Sequence, residues 1–180
     1  KSGWGGGAFD LRPGEWTGDT AMALCLAESL IAAGTVDQRD FMQRLGRWMR
    51  SGENSVTGVG FDIGPVTSGA IERFLAGGSP ASGGSSAETA DNGSLTRLAP
   101  VAVMARSDAA EAEFLALKQS RATHGAMECL DACKLLTSML VDALTGAERD
   151  AAIRPRVMAL SPRLLLINAG EWRGKSREVI

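Results

Sequence analysis

The chain has no tyrosine, one histidine, and aromatic residues at only 5% of its length. A lone histidine beside three cysteines (Cys25, Cys129 and Cys133) supplies no spaced Cys/His pairs for a tetrahedral zinc site. Cys129 and Cys133 share a helix face by spacing and read as small buried hydrophobes. An odd cysteine count without a signal peptide argues against a disulfide framework and predicts a reducing, cytoplasmic setting. A dominant charge is also missing: 19 basic and 21 acidic residues leave a net charge of −2, with no basic block. Bulk electrostatic binding to nucleic acid or a membrane surface is therefore not expected. No apolar run approaches the ~18 residues that span a bilayer. Neither a G-x-x-x-x-G-K-[ST] loop nor a strand-borne G-x-G-x-x-G occurs, so nucleoside-triphosphatase and dinucleotide readings have no support.

What is present is helical text. Apolar residues at spacings of three and four predict helices over 20–33, 37–50, 66–75, 95–105, 108–121 and 125–144. A further helical stretch, 147–167, is interrupted near Pro155 and Pro162. The 20–33 segment is apolar nearly all round, which predicts a central buried helix stopped by Gly34. Only 56–63 is rich in β-branched residues, and glycines interrupt it. The fold class is thus all-α, with packed, non-parallel helices. The 180 residues suit one domain over 1–180, or a large piece of a longer one. The chain starts on Lys1, and 174–180 reads as an element broken off, so a partial domain is expected.

Trp16-Thr17-Gly18-Asp19-Thr20 leads straight into the first apolar helix. Hydroxyls and a carboxylate gathered at a helix entrance meet free N–H groups and a favourable dipole. They are also hard oxygen donors of the kind that Mg²⁺ or Mn²⁺ takes. The plainer alternative is a simple cap, with Thr17 as N-cap and Asp19 in the first turn. Two glycine-rich loops follow. One, 57–64, surrounds the lone carboxylate of Asp62. The other, 77–93, has linker composition, yet it ends in Asp91-Asn92-Gly93-Ser94 before a helix, where small residues let backbone N–H groups approach an anion.

Four segments in order together resemble the ADP-ribosylglycohydrolase family: Gly14-Glu15-Trp16-Thr17-Gly18-Asp19-Thr20; Gly60-Phe61-Asp62-Ile63-Gly64; Asn92-Gly93-Ser94-Leu95-Thr96-Arg97 with Pro100; and Thr123-His124. The likeness runs from about Pro13 to the end and includes 22–30 and 169–176. It implies an orthogonally packed multi-helix bundle with a binuclear magnesium or manganese centre. It also implies hydrolysis of an N- or O-glycosidic bond between ADP-ribose and a protein side chain or small acceptor. By position, Thr17, Asp19 and Asp62 match metal-side residues, and Asp62 the catalytic carboxylate. Gly60, Phe61, Asn92, Gly93, Ser94 and His124 match substrate-binding positions.

The departures carry an expectation of their own. Gly18 stands where the family has an aspartate, and Pro65 and Thr96 stand where Asn and Met are frequent. A later Asp-x-Asp-Thr motif and the family's first helix are absent from the sequence. Two carboxylates offset little of the charge on two divalent ions. Weak metal binding and slow turnover by the chain alone are therefore expected, with a second chain or a further C-terminal segment completing the site. The alternative is a non-catalytic ADP-ribose-binding relative that has lost metal chemistry through Gly18.

Overall fold

The computed structural model describes residues 6–170. Trp4, the 171–176 part of the resemblance and the 174–180 tail lie outside them. Among the described residues, helices are joined by turns, and β-pairing is limited to the isolated bridges Gly6–Leu11 and Gly84–His124. The all-α expectation holds.

Helix α1 (Gly18–Ala33) closes at Gly34, whose φ of 67° is a left-handed cap that glycine adopts without strain. Helix α2 (Gln38–Ser51) begins at Asp37, whose carboxylate accepts from the N–H groups of Arg39 and Asp40. Helix α3 (Pro65–Leu75) carries proline in its first turn, where the missing N–H costs nothing. Helices α4 (Gly93–Thr96), α5 (Ala99–Met104), α6 (Ala109–Thr123), α7 (Met127–Leu144), α8 (Arg149–Ala152) and α9 (Pro162–Asn168) complete the order. Helix α6 packs along α7, α1 along α2, and α5 against α1, α6 and α7. Met22, Leu26, Phe41, Leu45, Trp48, Ile71, Leu98, Val101 and Leu115 meet in one core.

Several expectations are corrected. The predicted 95–105 helix is two helices. Pro100 lies in the first turn of α5, and in a continuous helix its ring would strike the carbonyl of Thr96, so α4 stops there. Residues 147–167 are interrupted more widely than the two prolines alone predict, holding only the short helices α8 and α9. Residues 56–63 are irregular turns and bends, as their glycines led one to expect. The linker-like 77–93 segment is pinned: Ser82 and Gly83 donate their N–H groups to the carbonyls of Ala122 and Arg121 at the end of α6. Those carbonyls have no partner within their own helix. An ideal Cβ at Gly83 would lie 2.6 Å from the backbone of His124 and Gly125, so the approach requires glycine.

Helix α1 is buried on one side only. Leu24, Ile31 (85% exposed), Val103 and Met104 border an apolar groove of about 690 Å³ between α1 and α5. No described residue fills it.

Candidate functional site

The expected site begins at the entrance of α1. Thr17 is the N-cap residue, with extended backbone, but its side chain makes no capping hydrogen bond. The placements of the plain capping alternative are met, with Thr17 at the N-cap and Asp19 in the first turn, but without the hydrogen bond of a side-chain cap. Gly18 is buried, and a Cβ built on it would lie 2.4 Å from the carbonyl oxygen of Asp62 and 3.0 Å from that of Phe61. The 60–64 loop therefore sits directly on the first residue of α1.

The same loop is clamped from below. A Cβ at Gly60 would lie 2.7 Å from the carbonyl oxygens of Trp48 and Met49 at the end of α2. Phe61 is half-buried, with its ring edge-on to Phe9 at 5.2 Å. Asp62 is exposed and holds a φ of 55°, the left-handed region that aspartate tolerates better than most side chains. The tight seat on Gly18 and Gly60 fixes that conformation.

The 91–96 segment closes the other side. Asp19 is exposed, and its Oδ1 accepts from Thr96 Oγ at 2.8 Å. Asp91 Oδ1 accepts from the N–H of Gly93 at 2.9 Å and pairs with His124 Nε2 at 2.5 Å. The Oδ2 atom of Asp91 lies 3.8 Å from where a Cβ would stand on Gly64, two residues past Asp62. The α1 entrance, the Asp62 loop, the Asp91–Thr96 segment and His124 are thus linked through direct contacts.

The expected binding residues do not all reach the surface of this cleft. Asn92 is exposed and Gly93 partly so, but Ser94 and His124 are fully buried. Ser94 Oγ accepts from Ser120 Oγ at 2.9 Å inside the core. His124 lies beneath Asp91 and Gly93, and a Cβ on Gly93 would come within 3.0 Å of its ring. These two residues support the cleft from beneath rather than line it.

Beneath it also lies Arg97, with no exposed surface. Its Nε donates to Gln119 Oε1 at 2.9 Å, and one terminal N–H group donates to Thr123 Oγ at 2.7 Å and to the carbonyl of Gln119. The guanidinium stacks over Phe41 at 4.9 Å. None of these partners is a carboxylate. Burial draws the Arg97 guanidinium down to about 10, so it remains charged at neutral pH. Burial first, and then the charge of Arg97, hold the His124 imidazole below its ordinary value, against the pull of Asp91. Both favour the neutral imidazole. A carboxylate can only accept, so the hydrogen is on Nε2 and Nδ1 accepts from Thr123 Oγ at 2.7 Å. Sequence reading missed Asp91 and Arg97, although both fall inside quoted segments.

A binuclear metal centre does not fit these residues alone. Gly18 offers neither a side chain nor room for one, and one oxygen of Asp19 is already engaged by Thr96. No group of three or more His, Cys, Asp or Glu able to hold a metal ion occurs among the described residues.

Comparison with known proteins identifies the family. The model of the family described as ADP-ribosylglycohydrolase matches residues 2–179. The chain belongs to the ADP-ribosylglycohydrolase family. It is 44% identical over 176 residues to the ADP-ribosylarginine hydrolase Tri1 of Pseudomonas putida, covering 98% of this chain and 47% of that protein. It is 46% identical to the ADP-ribosylarginine hydrolase Tri1 of Serratia proteamaculans, covering 98% of this chain and 48% of that one. The ADP-ribosyl-[dinitrogen reductase] glycohydrolase of Rhodospirillum rubrum is 32% identical over 98% of this chain and 57% of its own length. A solved structure titled ADP-ribosylglycohydrolase-related protein complex superposes with a TM-score of 0.77 at 40% identity, covering 92% of this chain and 54% of that one. The chain spans about half the length of the curated relatives it matches. Among the described residues, no helix is long and apolar enough to cross a membrane.

Proposed function

We propose that this chain supplies the ADP-ribose-binding half of a hydrolase that cleaves the N-glycosidic bond between ADP-ribose and an arginine side chain of a modified protein. The observation that carries this reading is the seating of the Asp62 loop on Gly18. It sets the backbone of Asp62 against the first residue of α1, next to Asp19, with Asp91 on the segment that Asp19 meets through Thr96. Glycosidic cleavage passes through an oxocarbenium-like state, which a nearby carboxylate stabilises. In this reading Asp62 faces the anomeric carbon, while Gly60, Phe61, Asn92 and Gly93 contact the rest of the ADP-ribose. Mg²⁺ or Mn²⁺ joins only when acidic ligands from outside residues 6–170 add to Thr17, Asp19 and Asp62, either from further polypeptide or from a second chain. The names of the two Tri1 relatives favour arginine as the acceptor. The three cysteines are buried and unpaired, which suits a reducing cytoplasm.

The test is a chimera in which this chain replaces the matching 176 residues of the Pseudomonas putida relative. Release of ADP-ribose from ADP-ribosylarginine, abolished by Asp62→Asn, is the expected result. A chimera that folds and binds ADP-ribose but releases none favours the second reading, a non-catalytic ADP-ribose-binding module. The closed space at Gly18 is the observation on the side of that alternative.

A further inference from the structure

A chain of hydrogen bonds with one direction runs from the core to the cleft. The Arg97 guanidinium donates to Thr123 Oγ, Thr123 donates to His124 Nδ1, and His124 Nε2 donates to Asp91 Oδ1. The two end bonds are fixed, because a guanidinium only donates and a carboxylate only accepts. In the neutral imidazole with its hydrogen on Nε2, the middle bond runs from Thr123 to Nδ1. Three of the four side chains are fully buried, and Asp91 is 36% exposed at the open end. Polar networks inside a core are no more stabilising than well-packed apolar residues of the same volume. Net stability alone is thus a weak reason to hold a part-exposed aspartate by a three-residue relay.

We propose that Asp91 is a ligand-contacting residue of the cleft, that its Oδ2 accepts a hydrogen bond from a sugar hydroxyl of ADP-ribose, and that Arg97, Thr123 and His124 are the residues that position it. The inference rests on the ADP-ribose reading of the cleft given above. The two oxygens of Asp91 have different roles. Oδ1 accepts from Gly93 N–H and His124 Nε2–H, whereas Oδ2 has no hydrogen-bond partner among the described residues and faces Gly64, where no side chain stands in the way. With one oxygen already taken, the two-pronged pairing of a carboxylate with a guanidinium is not open to Asp91. A free acceptor oxygen with a fixed direction suits a single donor, and a sugar hydroxyl of the ligand is one, whereas the two-pronged grip of an arginine is closed. Gly64 and Gly93 fit this role: the first leaves Oδ2 uncovered, and the second brings its N–H to Oδ1 while admitting the His124 ring beneath.

The experiment measures ADP-ribose affinity by calorimetry for the chain and for Asp91→Asn, Thr123→Val and Thr123→Ser. It is combined with nitrogen NMR of the imidazole, which needs no assignment because the sequence holds one histidine. Asp91→Asn retains an acceptor for His124 and Gly93 but presents an amide donor where Oδ2 was. A loss of about tenfold in affinity is expected, the size of one charge-assisted hydrogen bond. Thr123→Val removes the donor to Nδ1. The imidazole should then leave the single Nε2–H form and affinity should fall, with both restored by Thr123→Ser. Should Thr123→Val fail to fold, Asp91→Asn at a part-exposed position decides the matter alone. Wild-type affinity in Asp91→Asn overturns the proposal and leaves the ADP-ribose reading standing. Absence of ADP-ribose binding by the wild-type chain removes both.

Discussion

The carbonyl oxygen of Asp62 occupies the space that a side chain on Gly18 would need, 2.4 Å from the ideal Cβ position. The position to which the motif resemblance assigns an aspartate thus has room for none in two senses. The carboxylate is missing, and the neighbouring loop has settled where it would attach. A Gly18→Asp exchange is therefore not a simple restoration of a ligand.

Gly18→Ala tests the packing apart from the charge. Because the obstructing atoms are backbone, the 61–62 segment must shift, and overpacking of this kind costs about 1–3 kcal/mol. Urea denaturation of Gly18→Ala and Gly18→Asp should show both destabilised. A neutral or stabilising effect would mean that the loop moves freely and that the site tolerates an aspartate.

Arg97 anchors the polar core under the cleft. Arg97→Met leaves Gln119 Oε1 buried without its donor, a loss of about 1–3 kcal/mol for that acceptor alone. Arg97→Lys should not rescue it, since an ammonium lacks the planar fork that reaches Gln119 and Thr123 together. As a control, the exposed Arg106→Met should change stability by no more than about 0.5 kcal/mol in the same denaturation series.

Acid should weaken the fold through His124. In the unfolded chain the imidazole takes a proton near its ordinary value of 6.5, while burial and then Arg97 hold the folded group lower. Within that window the unfolded state binds more protons, so stability is complete above about pH 6.5 and declines as pH falls below it. Unfolding free energies at pH 7.5, 6.5 and 5.5 should decrease in the wild type, and the decrease should flatten in a folded His124→Asn variant. Stability that rises on acidification would show that the Asp91 pairing, not burial, governs the group.

Local chemistry made much of this legible in the sequence. Gly34 was legible as the stop of α1, and the apolar spacing of α2, α6 and α7 marked those helices. Asp37 and Asp108, read as first helical residues, are instead the N-caps of α2 and α6. Pro100 was quoted as part of a motif, but its power to split 95–105 depends on the carbonyl of Thr96 lying where the ring must go. The 77–93 loop has the composition of a linker, and only the unsatisfied carbonyls at the end of α6 reveal that it is held in place. At the site, the Asp62 loop and the α1 entrance were paired from motif order. The roles of Asp91 and Arg97 were hidden because they depend on residues just before and just after α4 meeting Thr123 and His124 at the end of α6. Periodicity cannot register such a contact.

The central claim is that the α1 entrance, the Asp62 loop and the Asp91 segment form one ADP-ribose cleft. Backbone amide NMR of the chain during titration with ADP-ribose tests it most directly. The account predicts saturable shifts gathered at residues 17–20, 60–64 and 91–96. Shifts confined to the groove between α1 and α5, or no shifts at saturating ligand, would contradict it.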